Sequence, residues 1–365
     1  MSKATNAAVM KNRNQKLLLN LIRQGDWSRV DLAKETGLTK ASVTILTDPM
    51  VKEGLLTEED APGSGVGRRP VYLRLVPQAV CAFGVYVTRQ HISIGLVTLT
   101  GQVLWETQFR HSALTPSAAL ERAAAEIRTQ IPRVPGKLLG VGMAVPGPVD
   151  YRRGNLLTPP NFSSWHNAPA GEILSRLCGV PVLLEETANA CALAELYFGC
   201  CSRDAHYAYL IVDDGIGSGI VVDGHLYRGQ SGRGNELGHT SIAMDGRPCA
   251  CGNQGCLETY ASIPALLKDT SYQNWADVLS CRDENLMDRE ASYLSCALTN
   301  LVNLFDLDKI VLGGEIAEHG EPLAQRIAQK LNARIITGRK VTVIPAQIRD
   351  RAALAAAAMI RSFYA

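Results

Sequence analysis

From Val80 onward the chain repeats one order of elements, and that repetition limits its fold more than any other feature. Val80–Thr88, His91–Thr98 and Gln102–Phe109 read as three short strands joined by tight connections at Arg89-Gln90 and at Gly101. A helix, Ser117–Gln130, and a strand, Leu138–Val145, follow. Tyr207–Val212, Ser218–Val222 and His225–Tyr227 then repeat the three-strand opening. After them come a long helix (Ala291–Leu304), the strand Lys309–Leu312, another helix and the strand Val341–Pro345. Two lobes that each open on a β-meander and continue with alternating helix and strand predict an α/β fold of actin-like or hexokinase-like (ribonuclease H-like) type. In such a fold a sugar would bind in the cleft between the lobes.

Ahead of this body the pattern is helical. Leu17, Leu18, Leu21 and Ile22 fall at helical spacing within residues 14–24, and Gly25 ends the run. Ser28 is an N-cap for Arg29–Thr36, with Gly37 as its terminating glycine. Thr39 caps a second helix, Lys40–Glu53, giving a helix-turn-helix in which Ala33, Gly37, Leu38 and Val43 supply the small contact, the turn and the core plugs. Pro49 removes one hydrogen bond from that helix, so a kink, or a stop near Thr47 and a restart, is expected. Leu55–Thr57 and Val71–Leu75 read as two wing strands around a Gly-rich stretch carrying Arg68 and Arg69. The spacing assigns residues 1–75 to a winged helix-turn-helix with a basic linker and residues 76–365 to the two-lobed body. Thr39, Lys40, Ser42 and Thr44 stand at the base-reading end of the second helix, and the arginine pair suits phosphate or a narrow minor groove. A small docking bundle would show the same three helices without the wing and the basic arm.

Charge agrees with this division. Residues 1–75 hold 12 Lys+Arg against 8 Asp+Glu, and the rest hold 25 against 27, for a formal net charge of +2. A basic excess confined to the small helical part suits operator DNA as a partner. Apolar residues make up 46% of the 365, ample for buried cores. No apolar run reaches the ~18 residues of a membrane span, and the first residues lack the apolar region of an export signal, so a cytoplasmic protein is expected.

In an unexported chain, ten cysteines should be thiols or metal ligands. His239, Cys249, Cys251 and Cys256 form H-x9-C-x-C-x4-C among closely spaced glycines. Three thiolates and one imidazole fill a tetrahedron, which predicts about one structural zinc ion per chain. The other seven cysteines lack ligand spacing and read as small apolar fillers.

These residues carry a resemblance. Residues 140–150 (GVGMAVPGPVD), 160–165 (PNFSSW), 235–239 (NELGH), 249–258 (CACGNQGCLE) and 311–315 (VLGGE) resemble the ROK family of repressors, open reading frames and kinases over nearly the whole chain. The helix-turn-helix is similar to that of the family's sugar-responsive repressors. The resemblance implies a sugar site at Asn161, Glu236, His239 and Glu258, with Glu186 beside them. Carboxylates accept bonds from vicinal hydroxyls, and a metal on one imidazole nitrogen fixes the proton of the other. It also implies a carbohydrate effector, and because DNA-binding proteins of this type read two half-sites, a homodimer or homotetramer is expected. The family's kinases take the proton of the attacking hydroxyl with the Asp of an Asn-Asp-Ala-Asn pattern. Here the matching stretch is Glu186-Thr187-Ala188-Asn189, so Thr187 holds the base position. Their first phosphate loop, an Asp-x-Gly-Gly-Thr-Lys turn, is replaced by Gly84-Val85-Tyr86-Val87-Thr88-Arg89, while a second glycine loop, residues 214–219, survives. A DNA-binding regulator without catalytic activity is therefore expected. The alternatives are a sugar kinase with an appended DNA-binding part, and a regulator with a degenerate sugar site that answers to a transport-system protein.

Overall fold

The computed structural model describes residues 7–60, 70–160, 162–201, 205–230, 232, 234–336 and 338–364. The helical part comprises α1 (Ala7–Ile22), β1 (Trp27–Ser28), α2 (Arg29–Thr36), α3 (Lys40–Lys52), β2 (Leu56–Asp60) and β3 (Val71–Leu75). The Ser28 side chain caps the Asp31 N–H while Asp31 reaches back to Ser28, and Gly37 closes α2 in the left-handed region. Thr39 Oγ1 accepts from Ser42 N at 3.1 Å at the start of α3. β3 sits between β1 and β2, both antiparallel to it, as a wing. Arg29 ties the parts together, donating to Thr47 Oγ1 and Asp48 and pairing with Glu58 of the wing.

Two expectations need correction here. The first helix begins at Ala7, seven residues before the expected start at residue 14, and its early turns are exposed. The second runs to Lys52 without interruption at Pro49. The carbonyl that proline leaves unpaired belongs to Ile45, which is 66% exposed and open to water, and the turn beyond is sealed by Glu53 N to Pro49 O at 2.9 Å.

The first lobe contains β4 (Val80–Val87), β5 (His91–Thr98), β6 (Val103–Arg110), α4 (Pro116–Gln130), β7 (Lys137–Val145), β8 (Val149–Asp150), β9 (Asn155–Leu156), α5 (Ala170–Cys178), β10 (Val182–Glu186) and α6 (Thr187–Tyr197). The second contains β11 (Tyr207–Val212), β12 (Ile216–Val222), β13 (His225–Tyr227), α7 (Glu258–Ala261), α8 (Ile263–Leu267), α9 (Trp275–Cys281), α10 (Glu284–Phe305), β14 (Lys309–Gly313), α11 (Glu321–Asn332), β15 (Thr342–Pro345) and α12 (Arg351–Tyr364). The two five-stranded sheets run β10-β7-β4-β5-β6 and β15-β14-β11-β12-β13, so each is a meander extended by two parallel strands. The duplicated order of the sequence is thus a duplicated fold.

β4 is buried along its whole length, as a strand covered on both faces must be. One cover is α12, which packs on β4 and β7. Side chains at Gly84 and Gly142 would strike the Ala352 and Ala355 carbonyls at 1.9 and 2.2 Å, so glycine is what lets the helix lie flat on the sheet. α6 packs on β11 and β12 and against α12, so an alanine-rich helix pair separates the two sheets.

Glu290 of α10 is fully buried in the apolar core of the second lobe, and neither carboxylate oxygen has a partner among the described residues. Burial pushes its carboxyl well above the usual range. The folded chain therefore holds a proton that the unfolded chain releases above about pH 4.3, and stability falls as pH rises from there towards the folded value. Glu290→Met is expected to raise stability at pH 7 by about 1–3 kcal/mol, the cost of an unsatisfied buried polar group. The gain should shrink towards pH 4. Denaturant unfolding at both pH values checks this, and a destabilised variant would show that water or an unseen partner satisfies the carboxyl.

Candidate functional site

The loop between β13 and α7 brings His239, Cys249, Cys251 and Cys256 together, with their ligand atoms all within 4.8 Å of one another. Cys249 Sγ lies 3.7 Å from His239 Nδ1, and Cys251 Sγ lies 3.7 Å from Cys256 Sγ. Two small bridges, Ser241 with Cys256 and Pro248 with Gln254, fold the loop back on itself. A side chain at Gly255, whose φ is +71°, would strike the Ala243 carbonyl at 1.7 Å, so the loop closes only with glycine there. The Asn253 backbone N–H holds the exposed Cys251 thiol below its usual range, while burial raises Cys256 to about 12. Asn253 Nδ2 donates to the His239 carbonyl at 3.2 Å and lies 3.4 Å from Cys256 Sγ. Three sulfurs and a nitrogen this close, with outer hydrogen bonds in place, form a cluster that could bind a metal ion.

Nδ1 faces the sulfurs, which leaves Nε2 on the far side of the imidazole. Around His239 stand the carboxylates of the sequence reading. His239 and Glu258 both act electrostatically on Glu236, and Glu236 on Glu186. Glu258 opens α7, is half-buried, and accepts from Ile216 N at 2.9 Å through one carboxylate oxygen. Glu186 ends β10 and is half-buried; desolvation, then Glu236 and Glu185, hold its carboxyl well above the usual range. The fold therefore gathers Glu186, Glu236, His239 and Glu258 from both lobes. Asn161 lies outside the described residues, as do Arg68 and Arg69.

Other groups around this cluster escaped the sequence reading. Glu185 is buried and paired with Arg228, whose guanidinium lies 4.9 Å over the Tyr151 ring. Asn189 donates to Glu185 at 3.3 Å and accepts from Asn235 at 3.3 Å. Arg89 lies 3.8 Å from Asp214, the first lobe's hairpin turn against the second's. Apart from Glu185 and Asn189, four residues apart, only the fold makes these neighbours.

Among the cysteines read as fillers, Cys281 is exposed and Cys200 bonds to Glu195 through both its N–H and its thiol. The fillers proper are Cys81, Cys178 and Cys191, buried in apolar surroundings that push their thiols up.

In the helical part, Thr39, Lys40 and Ala41 are exposed at the start of α3, Ser42 and Thr44 are half-buried, and Val43, Leu46 and Met50 point into the core. The Thr44 hydroxyl is turned to the Lys40 carbonyl at 3.0 Å. Ile45, one turn after Ala41, is a large apolar side chain left in water, and the sequence reading passed over it.

The described residues include no helix long and apolar enough to cross a membrane. A family model described as the ROK family matches residues 82–362. The xylose repressor of Bacillus spizizenii is 32% identical over 359 residues, 94% of this chain and 93% of that protein. The crystal structure of a ROK family transcriptional regulator, a homolog of the E. coli MLC protein, superposes with a TM-score of 0.79 at 26% identity, covering 97% of this chain and 96% of the other. A ROK hexokinase from Thermus thermophilus superposes with a TM-score of 0.67 at 29% identity, over 77% of this chain and 97% of its own. With the family model matching residues 82–362 and a xylose repressor 32% identical over 94% of this chain, the chain belongs to the ROK family.

Proposed function

We propose that this chain is a DNA-binding transcription regulator, a repressor of carbohydrate-metabolism genes, in which residues 1–75 bind an operator and residues 76–365 take a sugar effector and a structural zinc ion. The observation that carries the reading is the start of α3. Thr39, Lys40, Ala41 and Ile45 form an open surface on a helix whose other face is sealed into the core and braced by Arg29. Lys40 suits guanine or phosphate, Ile45 suits a thymine methyl, and Ser42 and Thr44 reach either once their hydroxyls rotate. Arg68 and Arg69 would follow the backbone or the minor groove beside the wing. The full-length likeness to a xylose repressor supports this reading.

In the cleft, Glu186, Glu236 and Glu258 accept bonds from sugar hydroxyls, Asn161 adds an amide, and His239 contributes Nε2. Zinc on Nδ1 would fix the imidazole's tautomer and ring plane. Thr187 at the family's base position, a neutral hydroxyl where the family's kinases hold an Asp, supports a protein that senses sugar without phosphorylating it. A homodimer or homotetramer in the cytoplasm, reading two half-sites, completes the proposal.

Anisotropy titrations with labelled DNA from upstream of its own gene test the DNA surface. Lys40→Ala and Ile45→Ala are each expected to weaken binding by about 1–3 kcal/mol while leaving the fold intact. Converting Arg68 and Arg69 to alanine should reduce the log–log salt slope by about 1.8, the share of two phosphate contacts. Unchanged affinity in both α3 variants would remove α3 from the interface. An unchanged slope would remove the arm.

A further inference from the structure

The cleft and the DNA-reading helices are joined by one continuous path. α6 starts at Thr187, directly after Glu186, so its first turn forms part of the sugar cluster. It runs 11 residues, about 16 Å, away from the cleft. At its far end Arg23, one residue past α1, donates to the Leu196 carbonyl at 2.9 Å and to the Tyr197 carbonyl at 3.3 Å. The same guanidinium lies 5.2 Å over the Tyr197 ring and 5.4 Å over Tyr364, and these two rings stack at 5.5 Å. Asn20 of α1 donates to the Tyr364 carbonyl at 3.0 Å and accepts from Arg23 at 3.2 Å. One cation and one amide therefore hold α1 to the ends of both α6 and α12.

Those two helices are joined to each other and lie between the lobes. Glu195 of α6 is fully buried and accepts from Gln347 N at 2.8 Å and Ile348 N at 2.9 Å, in the segment leading into α12. Its other oxygen holds Cys200. α12 lies on the first lobe's sheet and α6 on the second's, and they share a buried cluster of alanines, 190, 192 and 194 on one and 355 and 357 on the other. Surfaces of small side chains interlock little, so a shift of one lobe against the other can pass through this layer as shear. On the α1 side, Leu18, Leu19 and Ile22 share a core with Met359 and Ile360, so α1 follows α12.

We infer that the α6–α12 pair carries the state of the sugar cleft to the DNA-reading helices, and that Arg23 is the residue that couples them. This rests on the regulator reading above. Allosteric coupling is a difference in contacts between two states, and here the differential contact is the Arg23 bond to the end of a helix whose start touches the effector.

The test uses the full chain, DNA from upstream of its own gene, and whichever of D-xylose, D-glucose or N-acetylglucosamine raises the melting temperature. In the wild type, saturating sugar should change DNA affinity tenfold or more. In Arg23→Ala, sugar affinity and sugar-free DNA affinity should each stay within about threefold of wild type, while the sugar-induced change falls below threefold. Arg23→Lys, which keeps the charge but loses the two-carbonyl grip, should fall between. A full response in Arg23→Ala overturns the inference and leaves the regulator reading standing. A wild type that binds both ligands without mutual effect overturns both. Should Arg23→Ala fail to fold, hydrogen exchange on the wild type decides: protection at residues 20–24 and 196–201 must change on adding sugar, and an unchanged pattern refutes the coupling.

Discussion

Protein prepared without chelator is expected to carry about one zinc ion per chain, and Cys256→Ala to lose it. Cys256 is the buried member of the cluster, at the loop's closing turn and two residues before Glu258. Removing it leaves three ligands for a tetrahedral ion. Structural zinc sites bind with roughly 10–16 kcal/mol in small peptides, a figure comparable to the whole margin of a typical domain. The variant should melt well below wild type, and its sugar affinity should fall at least tenfold, because His239, Glu236 and Glu258 are set by the folded loop. Elemental analysis with thermal unfolding reads both effects. Wild-type zinc content in Cys256→Ala would remove these residues from metal binding.

No sugar phosphorylation above background is expected with ATP and Mg²⁺ across hexoses, pentoses and N-acetylhexosamines. A missing general base costs on the order of 10²–10⁴ in rate. Thr187 opens α6 as a half-buried hydroxyl, and Glu186 beside it is held towards its neutral form by burial. The phosphate loops compound the loss. β4 passes to β5 by a tight turn closed by Thr88 N to His91 O at 2.9 Å, with no glycine loop to wrap a phosphate. The turn after β14 gives its Glu315 N–H to Asp213. Burial raises Asp213 even so, and the Glu315 N–H opposes that rise. Thr187→Asp alone should therefore leave activity at background in a coupled assay. Turnover in the range of about 1–10³ s⁻¹ by the wild type would make the chain an enzyme and Glu186 its base.

What the sequence revealed depended on range. The cluster His239, Cys249, Cys251 and Cys256 is legible because its ligands lie on one short loop, and the capped α2 and α3 because their signals are local. The paired sheets were legible as a repeated order of strands. α6 and α12 passed unread because alanine and leucine surround them and they are buried on nearly every side, leaving no polar face to mark a helical period. Pro49 was over-read, since an exposed carbonyl can be left to water. The Arg89–Asp214 pair and the facing of Glu186 by Glu236 arise only when the lobes close on each other. Local reading had no access to them.

On this reading, one chain binds DNA and releases it according to the sugar in its cleft. Fluorescence anisotropy of the full chain on labelled DNA from upstream of its own gene, titrated with and without a sugar chosen by thermal shift, tests it most directly. A sugar at 100 times its Kd should first stabilise the fold by about 2.7 kcal/mol. Specific, salt-dependent DNA binding is expected in its absence, and at least tenfold weaker binding in its presence. Sequence-independent binding, or specific binding that no stabilising sugar alters, would contradict it.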